Sequence, residues 1–297
     1  MKFKFLLVAL ATVAVASAQD VQVRSNTQLL RGVESQCYSP VLNEDGTKVL
    51  FTSANYTGLK MYDLVDNVTT KIADDAMAGF DPRFSNDGQS VYFLSQTREN
   101  QRVYRTMNSY SFATKAERAL CDKQRGMRSP VVAGKGVMIL SDAGRQMNVS
   151  ASDLVVYADK AELVIVKGGK ETRISPVATP YTYLWTSLSP DKTKVLFYAG
   201  GVGAFVCDLE GNILGKYGKC ESPAWCGNDY IVVCRSTNDG HQYESSKLEL
   251  VKVDGTYSKE LTKGESMSMS PSASADGSKI VYNTIDGRMF LMELNIK

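Results

Sequence analysis

Apolar positions in this chain come in short runs of four or five, and each run closely follows a turn signal. The runs lie at 48–52, 90–94, 137–140, 194–198, 230–234 and 279–282, built mainly from Val, Ile, Leu, Phe and Tyr. Near-continuous apolar runs of this length suit strands buried on both faces. Asp45-Gly46, Asp87-Gly88 and Asp276-Gly277 stand just before three of them, and close substitutes stand before the others. Asp-Gly accepts the positive φ that a tight hairpin turn demands. Further strands are predicted at 59–64, 204–209, 247–252 and 288–294, with more polar ones at 69–72, 170–174 and 258–261. No amphipathic helix longer than a turn or two is needed anywhere.

These elements repeat. Six segments superpose, at 39–46, 81–88, 129–136, 185–192, 222–229 and 270–277. Most open on Ser-Pro or Asp-Pro, as at Ser39-Pro40, Asp81-Pro82, Ser129-Pro130, Ser222-Pro223 and Ser270-Pro271. The spacing of 37 to 56 residues is in the range of one four-stranded propeller blade. The expected fold is therefore all-β, a six-bladed β-propeller of four-stranded blades. The sixth unit stops after its third strand, and residues 23–30 supply a spare one. An N-terminal strand that completes the last blade would join the ends of the ring and remove an exposed edge. The third unit carries extra sequence, 141–151 followed by apolar stretches at 154–157 and 163–166, read here as a longer loop inside a normal blade.

The unit of Ser-Pro, Asp-Gly and apolar strand resembles the repeats of TolB-like propellers and of the propeller domains of prolyl-oligopeptidase-type peptidases. The resemblance extends over essentially the whole chain after residue 18. Units one, two and six carry the full pattern, whereas three, four and five lack the complete Asp-Gly. It implies a scaffold rather than an activity, since such propellers mostly bind proteins or gate a separate catalytic domain.

Residues 1–18 change the picture of where such a scaffold works. Lys2 and Lys4 precede an apolar run from Phe5 to about Val15, and Ala16-Ser17-Ala18 follows. That is the form of a signal peptide cleaved after Ala18, and the run is too short to span a bilayer. One domain, 19–297, is expected in the periplasm or outside the cell, with no membrane insertion after cleavage, as a monomer or part of a hetero-complex. The chain has 34 basic and 32 acidic residues. With so small an excess and no Lys/Arg cluster, nucleic acid is a poor partner. Cys37, Cys121, Cys207, Cys220, Cys226 and Cys234 show no CxxC spacing and are expected as buried thiols. Hairpin pairing around Asn228-Asp229 would set Cys234 opposite residue 223. Sequons at Asn55, Asn67 and Asn148 matter only in a host that glycosylates them.

Little chemistry is visible. His241 is the only histidine, it lies in a polar loop, and no G-x-S-x-G accompanies it. Asp45, Asp87, Asp191 and Asp276 recur at one repeat position, which marks them as turn residues rather than a pair of sugar-cleaving acids. No metal motif is present, and no cofactor or catalytic residue is expected. What does not repeat is the stretch before each first strand, which in propellers lines one channel mouth. It supplies Gln36, Tyr38, Phe80, Arg125, Arg128, Tyr181, Tyr183, Glu221 and Met269, with Met267 beside it. Aromatic and Arg side chains are enriched at binding hot spots. The function expected is a non-enzymatic exported scaffold that binds a protein or peptide partner in a bacterial envelope. The alternative is a carbohydrate-binding protein or a carboxylate-dependent glycan-active enzyme that uses the same mouth.

Overall fold

The repeated Ser-Pro marks a repeated backbone irregularity. Ser39, Asp81, Trp185, Ser222 and Ser270 all take a left-handed conformation, with φ between 46° and 51°. In four units the residue and its successor together face one residue of the next strand: Tyr38 pairs with Thr52 and Val41 with Leu50, and equivalent shifts fall at 184–187, 221–224 and 269–272. This is a β-bulge, and a proline fits there because the ladder asks no N–H of it.

The turn that follows is also repeated, atom for atom. Asn43 Oδ1, Ser85 Oγ, Ser189 Oγ and Ser274 Oγ each accept the backbone N–H five residues on. Asp45, Asp87, Asp191 and Asp276 each accept the N–H two residues on. These aspartates are turn residues, as the repeat implied. Burial alone would raise Asp191, but hydrogen bonds from Ser189 and Thr193 outweigh it and hold the carboxyl at about 2. Asp276 is likewise lowered, burial opposing and the Ser274 and Ser278 bonds winning.

A depressed folded pKa adds stability above the unfolded value, near 4, that is lost as pH falls through the folded one. Asp191→Ala and Asp276→Ala should therefore unfold at lower urea than wild type at pH 7. The Asp191 gap should narrow as pH falls from about 4 to about 2, and the Asp276 gap as pH falls below about 4. A gap that stays constant over this window would mean that the carboxyl charge contributes nothing.

The computed structural model describes residues 21–32, 36–150, 152–178 and 181–296; the expected signal segment lies outside them. Strand β1 (Val21–Gln28) is followed by seven sheets. Blade 1 comprises β2 (Tyr38–Leu42), β3 (Lys48–Thr52), β4 (Leu59–Asp63) and β5 (Val68–Ala73). Blade 2 comprises β6 (Arg83–Phe84), β7 (Ser90–Glu99), β8 (Arg102–Ser111) and β9 (Ala116–Ala119). Blade 3 has only β10 (Val131–Ala133), β11 (Gly136–Ser141) and β12 (Gly144–Asn148), and blade 4 only β13 (Val155–Asp159), β14 (Glu162–Lys167) and β15 (Lys170–Ile174). Blade 5 comprises β16 (Tyr183–Leu188), β17 (Lys194–Ala199), β18 (Gly203–Asp208) and β19 (Ile213–Gly218). Blade 6 comprises β20 (Glu221–Cys226), β21 (Tyr230–Asn238), β22 (Tyr243–Lys252) and β23 (Ser258–Glu260). Blade 7 comprises β24 (Ser268–Ala273), β25 (Lys279–Thr284) and β26 (Met289–Ile296), and β1 pairs antiparallel with β26 to complete it. The propeller thus has seven blades, not six, while the N-terminal closure is as expected.

The discrepancy lies wholly in the third unit, which is two small blades rather than one with a long loop. Strand β13 begins near the β10–β11 turn, where Asp153 crowds Gly134. It ends beside the segments that lead into β10 and β16: Arg128 Nη1 donates to Ala158 O at 3.0 Å, and Tyr183 N–H to Lys160 O at 2.7 Å. It therefore runs antiparallel to the first strands of both flanking blades. Blade 3 lacks a fourth strand and blade 4 lacks a first. Their six strands preserve the up-and-down parity, so β16 starts from the usual side.

Neighbouring blades bury their faces against each other. Leu50 and Met61 of blade 1 meet Val91, Phe93 and Tyr110 of blade 2, and Val156, Leu163 and Ile165 of blade 4 meet Tyr183, Phe197 and Phe205 of blade 5. No disulfide joins any of the six cysteines among the described residues, and all are buried except the half-buried Cys121. Burial pushes Cys220 up to about 11 and Cys207 and Cys226 up to about 12. Cys234 stands opposite Glu221, not residue 223, because the bulge at Ser222-Pro223 shifts the register.

Candidate functional site

First strands begin at one rim of the ring, called the upper rim here. Connections between blades and the hairpins between second and third strands meet there: Gly200 N–H donates to Thr182 O, and Cys37 N–H to Gly287 O. Two of those hairpins are long. Strands β7 and β8 have ten residues each, and β21 and β22 nine and ten, where most others have five or six. Four extra residues at roughly 3.3 Å each raise each hairpin about 13 Å above the rim.

Along the blade 2 hairpin, from its tip at Gln101 and Arg102 down to Arg105, is a cavity of about 480 Å³, lined also by Val103, Gln124, Arg125, Gly126 and Asp142. Its floor is stitched to the hairpin by Arg105 and Gln124, whose backbone groups exchange hydrogen bonds of 2.9 and 2.8 Å. Arg105 is held in place. Its Nε donates to Gln96 Oε1 at 3.2 Å, Nη1 to Met127 O at 3.3 Å, and the guanidinium lies 5.9 Å from the Phe80 ring centre. Phe80 in turn packs edge-on against Tyr56 at 5.3 Å. Arg102 and Arg125 are exposed and make no side-chain hydrogen bond or ion pair with any described residue. Asp142 closes one wall against Gly126, where φ is +59° and any Cβ would collide with the carboxylate.

Beside the blade 6 hairpin is a second cluster. Trp185 occupies the bulge position that Ser39, Ser222 and Ser270 occupy in other blades, yet it is 43% exposed, next to Leu184 at 46%. Its ring meets Tyr198 edge-on at 5.2 Å. Burial, then the nearby Cys220 and Glu221, raise the Tyr198 phenol. Glu221 accepts hydrogen bonds from Ser236 Oγ at 2.6 Å and Tyr243 OH at 3.2 Å. Thr186 Oγ1, where Pro40, Pro223 and Pro271 stand elsewhere, is buried with no hydrogen-bond partner among the described residues.

The residues expected at the mouth are thus distributed unequally. Arg125 lines the cavity, Phe80 supports Arg105 behind it, and Glu221 belongs to the second cluster. Gln36 is exposed, and Tyr38 is half-buried against Gly287. Arg128 pairs with Asp159 at 3.4 Å and ties blade 3 to blade 4. Tyr183 is buried, 4.7 Å from Phe197, and its hydroxyl accepts the Val177 N–H. Tyr181 packs against the same core, and the half-buried Met269 pairs with Asn283. Arg102, Arg105, Asp142, Leu184 and Trp185 were missed. The left-handed repeat position at 185 held the available clue, since a bulky aromatic is a poor choice there.

His241 sits exposed at the tip of the blade 6 hairpin, its backbone N–H bonded to Asp239 at 2.8 Å. No group of three or more His, Cys, Asp or Glu among the described residues could hold a metal, and no helix among them is long and apolar enough to cross a membrane.

No protein-family model and no curated protein sequence matches the chain. Solved structures match in fold. Oligogalacturonate lyase from Vibrio parahaemolyticus is similar with a TM-score of 0.59 at 10% identity, over 93% of this chain and 98% of that one. The β-propeller domain of the Trilobed protease from Pyrococcus furiosus, described as having an open velcro topology, gives 0.57 at 14% identity over 87% and 95%. TolB from Acinetobacter baumannii gives 0.50 at 19% identity over 77% and 55%. The chain is a β-propeller; at such identities the likeness extends to fold alone.

Proposed function

We propose that this propeller is a non-enzymatic, exported scaffold of the TolB-like kind, and that it binds a protein or peptide partner on its upper rim. The observation that carries this is the departure of blade 5 from the repeat. Where three sister blades place Ser-Pro, β16 places Trp185-Thr186, in a left-handed conformation that costs a bulky residue of order 1–3 kcal/mol. Trp185 nevertheless leaves its ring half open to solvent beside exposed Leu184. A strained, exposed aromatic beside an apolar neighbour has the character of an interface anchor.

Trp185→Ser restores the residue of the sister blades and should leave the fold intact. The expected result is that cross-linking of wild-type protein in its native envelope captures a partner, and that the variant loses it by more than about tenfold, as for a residue worth some 2 kcal/mol at an interface. Equal capture by both proteins would discard this rim as the binding surface. A second reading, a carbohydrate ligand, is favoured by the open Trp185 face beside Glu221 and Tyr243. It would show as saturable quenching of Trp185 fluorescence by an oligosaccharide.

A further inference from the structure

Arg102, Arg105 and Arg125 bring three guanidinium groups to one cavity that holds a single carboxylate, Asp142. Arg105 commits two of its five donors to Gln96 and Met127, which fixes it in the wall, where it contributes charge. Arg102 and Arg125 have no partner among the described residues, and their five donors each are arranged to take a carboxylate in bidentate fashion. The site is also shaped. The Arg105–Gln124 bridge sets the distance between the hairpin and the blade 2 to blade 3 connection, and the Asp142 N–H donates to Arg125 O at 3.2 Å. Gly126 lets the Asp142 carboxylate lie against the backbone. A volume near 480 Å³ is that of a pocket for several groups of an organic ligand rather than a lone ion.

We infer that this cavity binds an acidic peptide segment, with an Asp or Glu side chain or a C-terminal carboxylate held between Arg102 and Arg125. Three positive guanidinium groups against the one Asp142 carboxylate leave the lining with a net charge of +2, which two neighbouring acidic residues of a peptide neutralise, and the volume has room for such a segment where a lone phosphate would leave most of it empty. The inference rests on the upper rim being the partner-binding face and specifies the chemistry of that partner.

The test is a fluorescence-anisotropy titration of the purified protein with labelled hexaglutamate peptide, beside labelled hexaglutamine and with inorganic phosphate as competitor. Hexaglutamate should bind and hexaglutamine should not. Arg102→Ala and Arg125→Ala should each weaken hexaglutamate by about tenfold or more, in keeping with the loss of a charge-assisted pair. Lys216→Ala, which removes a charge on the outer strand β19, should not. Both arginines are exposed, and unchanged thermal melts will show that the variants fold. Unaltered binding by either arginine variant, equal binding of the two peptides, no binding of hexaglutamate, or displacement by phosphate far below the chloride needed for the same effect would each overturn the inference. Capture of a Trp185-dependent partner in any of these cases would leave the rim standing as a binding face while this pocket falls.

Discussion

Removal of Val21–Gln28 is expected to abolish the single cooperative unfolding transition and to leave a chain that self-associates. Strand β1 is the outer strand of blade 7, paired with β26 from Val21↔Ile296 to Gln28↔Phe290. Its side chains are committed as well. Val21 is fully buried, Ser25 Oγ donates to Glu293 at 2.9 Å, and Asn26 Nδ2 donates to Tyr282 OH at 2.8 Å. Lys259 Nζ of blade 6 donates to Val21 O at 2.5 Å, so the strand also joins two blades. Burial of one Val contributes about 2 kcal/mol and each net hydrogen bond about 1 kcal/mol. The loss should thus exceed about 5 kcal/mol, the lower bound for a whole domain. It also bares the edge of the eight-residue β26, a template for pairing with another chain. Calorimetry and size-exclusion chromatography measure both effects. A truncated monomer that melts cooperatively near the wild-type temperature would show that the ring does not need this closure.

Tyr183→Ala should be the most damaging single change at the mouth of the channel. The ring is buried between Phe197 and the blade 4 core, its backbone N–H reaches Lys160 O, and its hydroxyl accepts from Val177. Truncation leaves a cavity between two blades and an unpaired N–H. The expected cost is about 3–5 kcal/mol, a fall in Tm of the order of 10 °C. Trp185→Ser, only two residues on, should lower stability by no more than about 0.5 kcal/mol. Urea unfolding of the two variants side by side distinguishes them. Similar losses would mean that Trp185 is a core residue, and a small loss for Tyr183→Ala would mean that blades 4 and 5 hold together without it.

That contrast shows where residue type misleads. Tyr183 and Trp185 both look like hot-spot residues on the same short strand, and only the register, with Tyr183 opposite Ala199 and Leu184 opposite Tyr198 before the bulge, turns one inward and the other out. Arg125 and Arg128 divide in the same way. One is free at the cavity, and the other is consumed by Ala158 and Asp159 of the next blade.

Local chemistry was legible in the chain. Pro40, Pro223 and Pro271 mark bulges, and Asp45, Asp87, Asp191 and Asp276 mark turns, because each acts on backbone groups within five residues. That sufficed for strands, an all-β class, a propeller and the closure by an N-terminal strand. Blade count was decided by tertiary pairing. Blades 3 and 4 have neither the bulge nor the Asp-Gly turn, and their six short strands could equally have extended one sheet. Only the pairing of β13 with β14 and its reversed direction beside β10 and β16 separate them. The cavity on the upper rim was decided in the same way. Arg102 and Arg125 are 23 residues apart in sequence, and a hairpin folding back on a connection brings them into one lining, so the cavity exists only once those contacts have formed.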